Sequence, residues 1–259
     1  MMDNTDAPAA DTGPLSPCDE ARIAHAGSLI RLARDLLDRV PVDPDAEPGA
    51  LLAAALRAEK DAADLVAAAV VAERERGTSY DVLGRVAGMS RQSAHKKWAG
   101  AVAAWAANGR TCTTDPAGAL DKAALYDQWY TELCPGGQEK AVTSGLDAVR
   151  IPGSQRLDRA RRERAGSLRQ SLDALREQGK IMSEEYNRLR QTDDLAGLEA
   201  NLLATVDNDE KVARLYDQLV PLEPELADEH HADAERHRGY ATNNRDYADV
   251  IARQLQQQG

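Results

Sequence analysis

The chain has 259 residues, a net charge of −11 and a hydrophobic content of 42%, with few aromatic residues and no phenylalanine. This Ala-rich composition, which lacks runs of β-branched residues, predicts an all-α fold. The acidic total argues against a protein that coats nucleic acid regardless of sequence, and no apolar run reaches the roughly eighteen residues of a membrane span.

Four segments are predicted along the chain. Residues 1–16 are rich in Asp, Ala and Pro and are predicted to be disordered. Residues 17–133 are predicted to form a helical domain, and residues 134–153 a linker, because the loop-like stretch CPGGQEKAVTSG at residues 134–145 is the clearest domain boundary in the sequence. Residues 154–259 are predicted to form a helical region for dimerisation or partner binding, interrupted by a turn at Gly179.

A long helix is predicted over residues 50–77, ahead of the most informative stretch of the sequence. Its inward stripe is expected to consist of Leu56, Ala62, Leu65, Val66, Ala69 and Ala72. The stretch that follows, residues 78–98, reads TSYDVLGRVAGMSRQSAHKKW. It predicts a first short helix with Val82, Leu83 and Val86 on one apolar side. Thr78 and Asp81 are a plausible capping pair at the start of that helix.

The second helix of this stretch is predicted to begin after a turn. Gly88 ends the first helix and Ser90 is a good N-cap for the second. The second helix places Ala94, Trp98, Val102 and Trp105 at intervals of four, four and three, which predicts a buried stripe. The opposite side then carries Arg91, Gln92, Ser93, His95 and Lys96.

This pattern resembles the helix-turn-helix of bacterial DNA-binding proteins, especially the sigma-factor region-four-like kind of high-GC bacteria. The resemblance covers about residues 55–106. It rests on Gly84 at the crossing of the two helices, on Gly88 and Met89 in the turn, and on Ser-Arg-Gln at residues 90–92. The alternative is an ordinary helical hairpin with a polar outer face.

The resemblance implies sequence-specific binding of double-stranded DNA by a transcriptional regulator. Arg91, Gln92 and Ser93 are then expected to reach base edges in the major groove. The other expected DNA contacts are Ser79, Tyr80, Ser90, His95, Lys96 and Lys97. A homodimer would bind a palindromic site. The stretch from Gly77 to Arg110 contains five basic residues and one acidic residue, and this local positive charge favours DNA binding within an acidic chain.

No sequence pattern indicates an enzyme or a cofactor. A Walker loop, a Gly-rich dinucleotide turn and a nucleophile elbow are all missing. His230, Asp233 and His237 have a helical spacing that could converge on a metal ion, but a solvated helix face explains the same pattern. The three cysteines are sparse and lack a Cys-x-x-Cys pair, which favours a reducing compartment.

Two alternatives to DNA binding stay open. The first is a helical adaptor or anti-factor that binds another protein through its acidic C-terminal helices. The second is a ligand-sensing regulator with a pocket among the same helices. The acidic N-terminus lacks the apolar core of a signal peptide, so a cytoplasmic, nucleoid-associated protein is expected.

Overall fold

The structure is a computed structural model that describes residues 14–41, 43–114 and 118–258. Within these ranges the chain forms nine α-helices and no strand, so the predicted all-α class is confirmed. None of the described helices is long and apolar enough to cross a membrane. The helices are Pro17–Leu37 (α1), Ala50–Glu75 (α2), Tyr80–Val86 (α3), Arg91–Ala107 (α4), Ala119–Leu133 (α5), Asp147–Arg150 (α6), Ser154–Gln191 (α7), Leu195–Leu219 (α8) and Ala227–Gln258 (α9).

The chain divides into two compact units between Arg159 and Ala160, inside α7. Residues 134–153, predicted as a linker, therefore belong to the first unit. Asp127 of α5 is buried, and its carboxylate accepts hydrogen bonds from the Val142 amide at 2.6 Å and from the Thr143 hydroxyl at 2.6 Å. These bonds fix the segment after α5 against that helix, although its sequence is typical of a loop.

A second buried carboxylate ties the same segment to α1. Asp19 accepts hydrogen bonds from the amides of Asp147 and Ala148, both at 2.9 Å. It also forms an ion pair with Arg22 at 2.9 Å. Beside it, Leu146 is buried. The carboxylate thus satisfies free amides in the first turn of α6.

Of the segment predicted to be disordered, residues 1–13 lie outside the described residues. Leu15 is buried in the core of the first unit. The Ser16 hydroxyl accepts from the Asp19 amide at 3.1 Å and caps α1. These last residues of the segment are therefore ordered, because the start of α1 is anchored.

The second unit consists of the remainder of α7 with α8 and α9. Its main cluster joins Ala165, Leu168 and Leu172 of α7 to Val212 and Tyr216 of α8, among others. The predicted turn at Gly179 is wrong, since α7 runs unbroken through it. A Cβ atom there would lie 3.4 Å from the Asn208 side-chain nitrogen, an ordinary contact, so neither a turn nor tight packing requires glycine at this position.

Candidate nucleic-acid interface

The connection between α2 and α3 is closed by side-chain hydrogen bonds. The Thr78 hydroxyl donates to the Glu73 carboxylate at 2.6 Å, and the Ser79 hydroxyl accepts from the Val82 amide at 3.4 Å. Ser79 is therefore the N-cap of α3, and the predicted Thr78–Asp81 capping pair is wrong. Asp81 instead forms an exposed ion pair with Arg85, one helical turn away, at 3.3 Å.

The turn between α3 and α4 follows the predicted positions. Gly88 has a φ of +68°, which glycine adopts at little cost. The Gly88 amide donates to the Arg85 carbonyl at 3.3 Å, and the Met89 amide to the Gly84 carbonyl at 2.9 Å. This pair of bonds satisfies the last carbonyls of α3 and stops the helix. Met89 then packs against the core beneath the turn.

Gly84 lies where α3 meets the start of α4. A Cβ atom at this position would lie 2.7 Å from the Met89 carbonyl oxygen and 3.1 Å from the Ser90 carbonyl carbon. Both of these atoms belong to the backbone, so no side-chain rotation relieves the contact. The close approach explains why a residue without a side chain stands at this position.

The helix α4 rests on the predicted stripe. Ala94 and Trp98 are buried with Val70, Tyr80 and Leu83, and Val102 packs against them. Trp105 packs in a neighbouring cluster of α1 and α2 residues, and its indole N–H donates to the Glu75 carboxylate at 2.9 Å. The inward face of α4 is therefore fixed at both ends, and both tryptophans are core anchors as predicted.

Tyr80 does not lie where the DNA-contact prediction places it. Its side chain is 3% exposed, and its ring packs edge-on against the His95 ring with centroids 4.9 Å apart. On its other side the Arg74 guanidinium lies 4.5 Å from the ring centroid. Tyr80 begins α3, but its ring points into the core, because that side of the helix faces α2 and α4.

The sequence analysis missed Arg74 as a supporting residue. This side chain is buried, and its guanidinium donates to the Thr78 carbonyl at 2.9 Å. Arg74 therefore joins the end of α2, the α2–α3 connection and the Tyr80 ring that contacts His95. In the sequence it stands in the charged run Glu-Arg-Glu-Arg, which resembles an ordinary solvated helix end and gives no sign of burial.

The outward face of α4 presents the predicted polar side chains. The Ser90 hydroxyl accepts from the Ser93 amide at 3.1 Å, so the predicted N-cap is confirmed. The first turn of α4 contains no acidic residue, which leaves the positive end of the helix dipole uncompensated by side chains. The exposed side chains are those of Ser90, Arg91, Gln92, Ser93, His95, Lys96 and Lys97.

Not all of the basic residues counted in the sequence contribute to this face. Arg85 is paired with Asp81, and Arg110 lies 3.7 Å from the Glu75 carboxylate. Lys97 does contribute: its Nζ lies 5.4 Å from the centre of the Trp98 ring, and its charge stays in water. The net positive charge of the surface therefore comes from α4 itself.

Two apolar residues of α3 differ from the prediction. Leu83 is buried, but Val82 is half-exposed and Val86 is 85% exposed. The seven residues of α3 contact α2 and α4 along one side only, and Val82 and Val86 lie one turn apart on the other side. The outer surface of α3 therefore carries two exposed valines beside the exposed Asp81–Arg85 ion pair.

Two histidines and two cysteines outside this surface have partners or burial that account for them structurally. The imidazole of His230 bonds to Glu223 at 2.8 Å, and that of His237 to Asp209 at 2.7 Å. No group of three metal-ligating side chains occurs among the described residues. Burial raises the pKa of the Cys18 thiol to about 11, and burial together with the Glu20 carboxylate raises the pKa of the Cys112 thiol to about 12.

The chain matches no protein-family model, no curated protein and no solved structure. Its function is therefore inferred from the residues and geometry of this surface alone.

Proposed function

We propose that α2, α3 and α4 form a helix-turn-helix domain that binds double-stranded DNA sequence-specifically, with α4 inserted into the major groove. The protein would then act as a transcriptional regulator located on DNA in the cytoplasm. The observation that carries the proposal is the exposed start of α4, where Arg91, Gln92 and Ser93 project from a helix whose opposite side is packed.

The packing of α4 against α2 and α3 holds the helix in one orientation. Ala94 and Trp98 are buried in the cluster shared with α2 and α3, and Trp105 is tied to Glu75. Recognition of base edges requires side chains to reach hydrogen-bonding geometry without reorganising the backbone. Arg91 and Gln92 lie in the first turn, the part of a recognition helix that approaches the base edges most closely.

The chemistry of the face matches the groove. An arginine pairs with the O6 and N7 atoms of guanine, and a glutamine with the N6 and N7 atoms of adenine. Lys96 and Lys97, one turn further along α4, are suited to phosphate oxygens on the groove wall. The amides at the start of α4 add a further site for a phosphate.

The alternative of an adaptor with an acidic C-terminal surface receives less support. Many of the acidic side chains of α7, α8 and α9 are paired with basic ones on the same surface. These include Glu185 with Arg188, Asp207 with Lys211, Glu210 with Arg245, and Asp217 with Arg238. Such a mixed surface keeps a helical bundle in solution without presenting a block of uncompensated negative charge.

Replacing Arg91 with alanine is expected to reduce affinity for the preferred DNA site by roughly 5- to 150-fold, which corresponds to about 1–3 kcal/mol. The loss should fall on one base pair of the site, because a bidentate contact discriminates between bases. Titrations of fluorescent duplexes carrying each of the four base pairs at that position measure the effect.

Arg91→Lys is the matched control. Lysine keeps the positive charge but loses the planar fork of the guanidinium, so non-specific binding should persist while discrimination at that base pair falls. Lys96→Ala should instead weaken binding to all sequences and reduce the slope of log affinity against log salt by about one. Equal affinities for wild type and Arg91→Ala on every duplex would rule out the assigned role of Arg91.

A further inference from the structure

The hairpin formed by α1 and α2 has a charged side. The two helices run antiparallel, since Ala21 packs with Val71 and Ala72 at one end and Arg39 bonds to the Ala54 carbonyl at the other. A cleft of about 680 Å³ opens between them. Its lining includes Arg31, Arg34 and Asp35 from α1, Arg39 just after α1, and Arg57 and Asp61 from α2.

Leu32 and Leu65 line the cleft, but a second set of apolar side chains of the hairpin lies away from it. Along α1 and the residues just after it, a stripe with intervals of four, three and four consists of Leu29, Ala33, Leu36 and Val40. On α2, a similar stripe consists of Leu51, Ala55, Ala58, Ala62, Val66 and Ala69. None of these ten residues lines the charged cleft. We call the two stripes together the hairpin seam.

The hairpin seam is exposed in the single chain. Leu36 is 46% exposed, Val40 70% and Leu51 84%. The predicted inward stripe of α2 is therefore wrong in its first half, where Leu56 is also exposed, and correct only towards Ala72. The burial of α2 is confined to its last turns, where α1, α3 and α4 contact it.

The exposed apolar area of the hairpin seam is comparable with the area that one partner buries in a protein interface. Five large apolar side chains of the hairpin seam are at least 46% exposed: Leu29, Leu36, Val40, Leu51 and Val66. Together with the exposed seam alanines, their surface is on the order of 600 Å² at typical residue sizes. This is about three-quarters of the ~800 Å² that each partner buries in a standard protein interface, and it lies at the upper end of the apolar patches that monomers expose.

We propose that the hairpin seam is a homodimer interface, in which the α1–α2 hairpins of two copies pack face to face as a four-helix bundle. Two antiparallel helices with apolar residues at intervals of three and four are half of such a bundle. The seam positions carry no charged residue, so the surface offers no charge pattern that would select a partner of opposite sign. A neutral apolar surface is complementary to itself, as a two-fold interface requires.

The proposal is tested by sedimentation velocity of the full chain at micromolar concentrations. Wild type is expected to sediment at twice the 28.0 kDa of one chain. Leu51→Lys should weaken the dimer by about tenfold or more, because the lysine ammonium would be buried in an apolar interface. Leu51 is 84% exposed in the single chain, so this variant should fold, and its circular dichroism spectrum checks that it does.

Ile181→Lys on α7 is the matched control. Ile181 is 60% exposed and lies in the second unit, so the same change there should leave the dimer intact. The proposal is overturned if wild type sediments as a monomer throughout, or if Ile181→Lys dissociates the dimer and Leu51→Lys does not. Sedimentation is read without DNA, so its result is separate from that of the proposed DNA binding.

Discussion

Gly84→Val is expected to destabilise the first unit by about 3 kcal/mol, the upper end of the cost of overpacking. The first carbon of any side chain at this position would lie 2.7 Å from the Met89 carbonyl oxygen. The valine can be accommodated only if α3 and α4 separate, which breaks the turn that sets the direction of α4. Urea unfolding followed by tryptophan fluorescence measures the effect, because Trp98, Trp105 and Trp129 all lie in the first unit.

Gly100→Ala is the matched control for this prediction. Gly100 is also helical, but an added Cβ there meets no atom within 4 Å. Alanine favours helix over glycine by up to about 1 kcal/mol, so this variant should be as stable as wild type or more stable. If Gly84→Val unfolds at the same urea concentration as wild type, the close crossing of α3 and α4 is incorrect.

Asp19→Ala is expected to lower the free energy of unfolding of the first unit by about 4 kcal/mol. The side chain is 1% exposed, and its removal leaves the half-buried residues Asp147 and Ala148 without the acceptor of their amides. It also takes from Arg22 one of its two carboxylate partners. The same fluorescence-detected urea titration measures the loss, and hydrogen exchange of residues 141–150 should increase with it.

Asp35→Ala on the same helix provides the comparison. Asp35 pairs with Arg39 on the surface, and its side chain is 44% exposed. An exposed pair of this kind contributes about 0–1 kcal/mol, so this variant should unfold close to wild type. Equal losses for Asp19→Ala and Asp35→Ala would show that the buried carboxylate has no special part in holding α6.

Sequence patterns predict the α3–α4 region well because its determinants are local. The hydroxyl of Ser90, the φ of Gly88 and the spacing of Ala94 and Trp98 act within one or two helical turns. Each of these features has a known preference for one residue type, so the residue type identifies the feature.

The predictions fail where the structure depends on contacts between residues that are separated in the sequence. Residues 134–153 resemble a linker, but the carboxylates of Asp19 and Asp127 and the burial of Leu146 hold part of that segment in place. Tyr80 follows a good N-cap and is predicted to contact DNA, but its ring packs between Arg74 and His95. Apolar residues spaced three and four apart indicate which side of a helix is apolar, without indicating what covers it.

The most direct test of the DNA-binding proposal is selection of binding sites from random duplex DNA with the purified full chain. An enriched motif is expected, with binding that weakens steeply as salt rises. Selection with Arg91→Ala should return the same motif with one base position relaxed. The absence of any enriched sequence, with no salt-dependent binding to the starting pool, would contradict the assignment of α4 as a recognition helix.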